Sequence, residues 1–181
     1  MVEENLIEKL KKIKLVVLDV DGVLTDGYIS INSDGKEFKR FSVYDGLAIR
    51  ICHEFGIQFA IISGRVSKIT HQRAMELGID LIRQGIKDKG EELKKVVALL
   101  GVNFEEVLYV GDDLYDIIPM KIAGVSATVQ NGVKEVKEIA NIISERKGGE
   151  GAIREILEMV LKAKGVWRDV IKKFSSEKNV E

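Results

Sequence analysis

Proline, cysteine and tryptophan each occur once in this chain of 181 residues, and histidine twice. A lone Cys52 excludes an intrachain disulfide and fits a reducing, cytoplasmic compartment. His53 and His71 stand singly and lack the spacing of a zinc site. Charge of either sign is not in excess: 28 basic and 29 acidic residues leave a net −1. Nothing therefore signals nucleic acid or an acidic membrane surface as partner. No stretch reaches the ~20 apolar residues of a membrane span, and the segment before Lys14 has no signal-type apolar core. Repeats, low-complexity stretches and linkers are also missing.

What remains is 45% apolar and 31% charged, the composition of a globular chain. Its length suits one domain spanning residues 1–181, able to bury roughly two thirds of its unfolded surface. Short apolar runs at 14–19, 57–62, 79–82, 106–110, 125–129 and 141–144 read as strands. Helical patterns fill 46–55, 66–77, 88–100, 113–123, 133–139 and 151–163. Gly56, Gly78, Gly101, Gly124 and Gly165 stand where helix-ending glycines belong. This alternation predicts an α/β fold, a Rossmann-like parallel sheet with helices on both faces. Residues 148–181 form a C-terminal helical segment and a tail, polar and frayed over 175–181.

One segment breaks the rhythm. Two β-rich runs, 28–32 and 37–43, flank Ser33, Asp34, Gly35 and Lys36, and Asp-Gly in that setting predicts a β-hairpin at 28–43. Emerging after the first strand, it is either a surface excursion or a lid or oligomer contact. Isolated hairpins are marginal in water, which favours the second.

The chemistry gathers at strand ends. The run 15–18 leads into Asp19, Val20, Asp21 and Gly22, and the run 107–110 into Gly111, Asp112 and Asp113. Ligands in open α/β sheets bind beyond the carboxyl ends of the strands. Carboxylates converging there repel one another unless a cation joins them, and an all-oxygen donor set favours Mg²⁺ over zinc.

Asp19-x-Asp21-Gly22-Val23-Leu24-Thr25 resembles the signature of the haloacid dehalogenase superfamily of phosphotransferases. Ile61-Ile62-Ser63, Lys89, and Gly111-Asp112-Asp113-x-x-Asp116 match its later motifs in order. The resemblance implies that Asp19 is the nucleophile and Asp21 the general acid and base. It implies that Ser63 and Lys89 bind the phosphoryl group. Mg²⁺ would lie on Asp19, Asp112 and the backbone carbonyl at Asp21, with Asp113 and Asp116 supporting them. Each position has a plainer reading: Asp21 as a turn residue, Ser63 in a helix N-cap region, Lys89 as a solvated lysine with Lys87 as its competitor, and Asp113 and Asp116 as helix caps. Between Ser63 and Lys89 lie 25 residues, and between Lys89 and Asp112 lie 22, which leaves no room for a cap domain. The fold expected is thus a capless haloacid dehalogenase-like one with the hairpin inserted after the first strand.

A narrower resemblance rests on Val43-Tyr44-Asp45-Gly46, Ser63-Gly64-Arg65, Gln84-Gly85-x-x-x-Lys89 and Gly148-Gly149-x-Gly151-Ala152-x-Arg154-Glu155. These segments are similar to the 3-deoxy-D-manno-octulosonate 8-phosphate phosphatases. That family implies Mg²⁺, a homotetramer with packed hairpins, and C-terminal segments near a neighbour's site. It implies an acidic keto-sugar phosphate as substrate in lipopolysaccharide precursor synthesis, of eight carbons or, in relatives, nine. Substrate contacts map to Ser42, Val43, Tyr44, Asp45, Gly46, Gly64, Arg65, Arg50 and Arg73, arginine being suited to a carboxylate. A phospho-acceptor receiver domain is the competing class, but it needs an aspartate at the strand end that Ser63 occupies. Cys52 and Trp167 read as packing residues, and the glycine cluster at 148–151 has a role only through the resemblance.

Overall fold

A computed structural model describes residues 2–175 of the chain. From residue 176 on, the polar tail lies outside the described residues. The first helix, α1 (Val2–Lys12), leads into β1 (Leu15–Leu18). A small hairpin, β2 (Ser30–Ile31) and β3 (Glu37–Phe38), precedes α2 (Val43–Glu54). Then come β4 (Gln58–Ile62), α3 (Lys68–Glu76), β5 (Leu81–Arg83) and α4 (Lys89–Leu100). The second half runs β6 (Val107–Val110), α5 (Ile117–Ile122), β7 (Val125–Thr128), α6 (Lys134–Ile139), β8 (Ile142–Ile143), α7 (Ala152–Ala163) and α8 (Trp167–Ser175).

The six strands outside the hairpin form one parallel sheet in the order β5-β4-β1-β6-β7-β8. All four residues of β1 and of β6 are buried, as expected of strands covered on both faces. Alternate side chains of β1 serve two cores. Val16 and Leu18 join one with Leu10, Ile49, Ile156 and Leu157, under α1, α2 and α7. Leu15 and Val17 join the other with Leu93, Val96 and Val136, under α4 and α6. The chain leaves β1 toward β4 and β5, then crosses back to β6 on its other side. That reversal puts a crevice at the carboxyl end of β1.

The helix α1 is additional to the predicted pattern, and the expected C-terminal helical segment contains α8 beyond the predicted 151–163. In α1, charged residues alternate with Leu6, Ile7 and Leu10, so the apolar stripe is thin. In α8, Val170 is buried and Trp167 partly so, the latter beneath the cations of Arg154 at 5.6 Å and Lys162 at 5.3 Å. The hairpin is shorter than expected, with two residues paired on each side. Its turn closes on Asn32, whose side-chain oxygen accepts the amides of Asp34 and Lys36. Pairing ends at Phe38, and the side chains of Glu37 and Lys39 bond to Arg65 and Asp21 at the sheet's carboxyl edge. Gly124 also departs from expectation. Gly56, Gly78, Gly101 and Gly165 adopt positive φ, but Gly124 does not; a Cβ there would come within 2.5 Å of the Glu105 carbonyl oxygen. Close approach, rather than helix termination, requires that glycine.

The helix α7 carries much of the first core, with Ile156 and Leu157 fully buried. Leu157→Ala should cost about 2–5 kcal/mol. Urea unfolding should show it as a lower midpoint at unchanged slope; a midpoint equal to the parent's would contradict this packing.

Candidate active site

The crevice is a cleft of about 460 Å³ lined by Asp19, Asp21, Ser63, Gly64, Arg65, Lys89, Asp112, Asp113 and Asp116, with Gly27, Ile86, Lys87 and Tyr115. Three of these groups come from adjacent strand ends. Asp19 follows β1 and its amide donates to the Val110 carbonyl at the end of β6. Ser63 follows β4, its amide donating to the Arg83 carbonyl and its own carbonyl accepting the Ile86 amide. Asp112 follows β6. Its carboxylate fills the space that a side chain at Gly22 would need, a Cβ there falling 1.9 Å from Asp112 Oδ2. Gly22 also has φ +94, so the Asp-x-Asp-Gly turn requires glycine on both counts.

Lys89 is the first residue of α4, and Asp88 caps that helix. Its Nζ lies 2.7 Å from Asp19 Oδ2 and 2.7 Å from Asp116 Oδ1, and its side chain is 4% exposed. Burial works against the ammonium charge, but the two carboxylates outweigh it and hold the lysine above its usual range. Lys87 sits exposed at the rim of the same cleft.

Asp116 is fully buried and fully bonded. One oxygen accepts Lys89 and the Tyr109 hydroxyl at 2.8 Å; the other accepts the amides of Asp112 at 3.1 Å and Asp113 at 3.3 Å. Asp113 caps the short 3-10 turn Leu114–Asp116 and is exposed. Atoms of Asp19, Asp112 and Asp116 lie within 4.8 Å of one another, a spacing that suits a cation. Four donors already use the lone pairs of Asp116, so it orders the cluster rather than offering a free ligand atom. Among the described residues, by contrast, Asp112 accepts no hydrogen bond on its carboxylate. Burial, then Asp19 and Asp116, push Asp112 up to about 8. Burial and Asp116 raise Asp19 to about 6 against the pull of Lys89. Crowded, underbonded carboxylates of this kind fit a hard divalent cation.

Asp21 faces a partner that the sequence did not suggest. Lys39, just past β3, pairs with Asp21 Oδ1 at 2.5 Å. Glu37 accepts from Arg65 at 2.9 Å and from the Ser67 hydroxyl at 2.8 Å. No motif marks Glu37 or Lys39; only their shared face in a β-rich run hinted at them. Tyr109 was hidden too, as one more apolar-looking residue of a buried strand.

The residues at 42–46 lie elsewhere. Ser42 caps α2, accepting the Asp45 amide at 3.3 Å, and Val43 and Tyr44 are exposed. Asp45 is buried, raised in pKa by that burial, and accepts the Arg154 amide at 2.8 Å where α7 begins. Gly46 packs against the Arg73 guanidinium. Arg73 and Arg50 meet at Glu76, the first through its side chain and the second through its carbonyl. None of these residues lines the cleft of the single chain. Gly148 and Gly149 lie flat on the loop after β1, where a Cβ at Gly148 would fall 1.7 Å from the Gly22 carbonyl oxygen. Cys52 is buried in the core, which pushes its thiol up to about 12, a packing residue as expected.

A parallel sheet with this strand order and acidic residues at these strand ends defines the haloacid dehalogenase-like hydrolases, and the family model of that description matches residues 66–156. The 3-deoxy-D-manno-octulosonate 8-phosphate phosphatase of Haemophilus influenzae is 38% identical over 158 residues, covering 87% of this chain and 88% of that protein. The crystal structure of the Moraxella catarrhalis phosphatase of the same name, in complex with magnesium, phosphate and a KDO molecule, superposes with a TM-score of 0.93. It is 40% identical, covering 96% of this chain and 99% of that one. The cobalt-bound H. influenzae enzyme gives 0.84 at 38% identity, covering 87% and 92%. The chain belongs to this family, the 3-deoxy-D-manno-octulosonate 8-phosphate phosphatases.

The raised carboxyl groups dictate a pH response in metal-free protein. Folded Asp112 keeps its proton up to about pH 8, whereas an unfolded aspartate loses it near the usual 3.8. The folded state binds the extra proton across that window, so this contribution to stability falls as pH rises through it and is gone above it. Calorimetry in chelator should show the parent losing more melting temperature than Asp112→Asn between about pH 5 and about pH 8. Parallel losses would refute the assignment.

Proposed function

We propose that this chain is a Mg²⁺-dependent phosphatase that hydrolyses 3-deoxy-D-manno-octulosonate 8-phosphate to the free sugar acid and phosphate. The observation carrying this reading is the buried Lys89 bridging Asp19 and Asp116 beside the underbonded Asp112, in a chain 40% identical to an enzyme crystallised with magnesium, phosphate and KDO. Asp19 attacks phosphorus as the sugar oxygen leaves, giving an aspartyl-phosphate. Asp21 gives its proton to the departing oxygen, then takes one from the water that attacks the same phosphorus and frees Asp19. Lys89 orients Asp19 and lays positive charge beside the phosphoryl oxygens, and the Ser63 hydroxyl donates to one of them. Asp19, Asp112 and the carbonyl of Asp21 would hold Mg²⁺, which would supply the remaining charge neutralisation. Asp113 and Asp116 keep the loop that carries Asp112 in place.

Arg65 reaches the cleft and suits the sugar carboxylate. Residues 42–46, Arg50 and Arg73 form a patch outside the cleft of their own chain, which supports the reading that they meet substrate across a subunit boundary. A homotetramer supplies that boundary and compensates for the missing cap. Its contact includes the hairpin, where Ile29, Ile31 and Phe38 are 50%, 63% and 55% exposed. Phe41, the next aromatic along the chain, instead packs on the core. Among the described residues no helix is long and apolar enough to cross a membrane. The buried free thiol of Cys52 suits the cytoplasm.

Asp19→Asn should lower phosphate release from the octulosonate 8-phosphate by on the order of 10⁴-fold with the fold intact. Turnover close to the parent's would remove Asp19 as nucleophile. Asp112→Ala should first raise the Mg²⁺ concentration needed for half-maximal rate, and an unchanged metal titration would remove it as ligand. Assaying a nine-carbon keto-sugar 9-phosphate in parallel fixes substrate length; a higher kcat/KM for it would replace the eight-carbon assignment.

Ile29→Asp with Phe38→Asp should dissociate the particle in sedimentation while sparing Glu37 and Lys39. A tetramer that survives both changes would move the interface off the hairpin.

A further inference from the structure

The hairpin reaches into the cleft with one charged side chain. Lys39 is 1% exposed at its side chain, and its ammonium pairs with Asp21 Oδ1. The other oxygen of that carboxyl, Oδ2, is buried and accepts no hydrogen bond among the described residues. Arg65 Nη1, 4.0 Å from it, is likewise buried without a hydrogen-bond partner there. Glu37 holds the neighbouring nitrogen of Arg65 and the Ser67 hydroxyl, so the strand bearing Lys39 is fastened to the loop after β4 on the same side.

A buried ion pair is a poor way merely to pin a hairpin. Desolvating both charges offsets most of their attraction, and an apolar contact would hold as well. Oδ2 and Nη1 attract each other at 4.0 Å but are too far apart to hydrogen-bond, so each keeps a bonding capacity that a substrate group between them would use.

We propose that Lys39 is a positioning residue for Asp21, resting on the phosphatase reading above. By holding Oδ1, it turns Oδ2 toward the leaving oxygen of the ester. With Lys39 donating to Oδ1, the carboxyl's proton sits on Oδ2 and passes from there to that oxygen as its bond to phosphorus breaks; the attacking water later returns a proton to Oδ2. Nη1 of Arg65 faces the same space and receives the leaving portion of the substrate. General acid catalysis thus depends on a residue of the inserted hairpin.

Leaving-group chemistry tests this. A sugar alkoxide needs a proton to depart, whereas p-nitrophenolate leaves without one. Lys39→Met should lower kcat/KM on the alkyl ester by about 10- to 100-fold, as misplacement of a catalytic group does. On p-nitrophenyl phosphate kcat/KM should fall less than about threefold, because it ends at departure of the leaving group, before Asp21 acts as base on the water shared by both esters. Lys39→Arg should recover part of the alkyl-ester rate, and Lys36→Met, an exposed turn lysine of the same hairpin, should match the parent on both esters. Equal losses on the two esters, or no loss on either, overturn the proposal. Circular dichroism and sedimentation on each variant identify any that unfold or dissociate. Should Lys39→Met do either, the ratio of the two rates in Lys39→Arg decides: a ratio equal to the parent's overturns the proposal, and a selective alkyl-ester deficit supports it. The parent's own rate on the alkyl ester tests the phosphatase reading separately and beforehand.

Discussion

The ammonium of Lys89 is the fixed point of this molecule. Two carboxylates approach it at 2.7 Å, in a site with almost no exposure. Without it, Asp19 and Asp116 would be like charges buried side by side. With it, Asp116 can turn its second oxygen to the amides of Asp112 and Asp113, which sets the loop beyond β6. Asp19 is held by the same cation at the end of β1. One lysine therefore fixes the relative position of two strand ends, and with them the shape of the cleft. Asp112 is the member that this arrangement leaves unsatisfied, and in the proposed reaction it is the member that Mg²⁺ would complete.

Around that point the fold divides the labour. The sheet supplies the carboxylates and Ser63 on rigid strand ends, where small shifts are expensive. The helix α4 supplies Lys89 from its first residue, with its own cap provided by Asp88. The hairpin, paired over two residues on each side, supplies Lys39 and Glu37. It is held to the body by charge and not by a core of its own. Its remaining apolar side chains face outward, so the element that finishes one chain's cleft also carries that chain's exposed apolar surface.

Much of this was legible in the sequence because parallel strands leave a strong trace. Runs such as Leu15–Leu18 and Val107–Val110 are apolar throughout, bounded by Gly and Asp, and short. Alternation of such runs with helical patterns gives the sheet, and strand-end acids give the cleft. The unread parts obey weaker rules. The helices α1 and α8 are surface helices with thin apolar stripes, and their charged residues conceal the period. Gly124 resembles a helix-ending glycine in sequence, yet a contact with Glu105 far from it in the pattern demands it. Lys39 and Tyr109 contribute through single polar atoms at positions whose local pattern describes a strand, and pairing across 18 or 7 residues leaves no periodic mark. The segment 42–46 stands apart from the cleft of its own chain, where Ser42 caps α2 and Asp45 accepts the Arg154 amide, so its resemblance gave no indication of which of its residues line the cleft.

The central position of β1 has a consequence in time. The strand is made early but bonds to β4 and β6, whose residues follow it by about 40 and about 90 positions along the chain. During synthesis Asp19 and Asp21 emerge long before their acidic neighbours. Lys89 is translated before Asp112 and Asp116. When the second acidic loop arrives, the cation that tolerates it is already present in the growing chain. The cation that pairs with Asp19 thus precedes the second acidic loop along the chain, so that loop docks onto a site whose counter-charge is already in place.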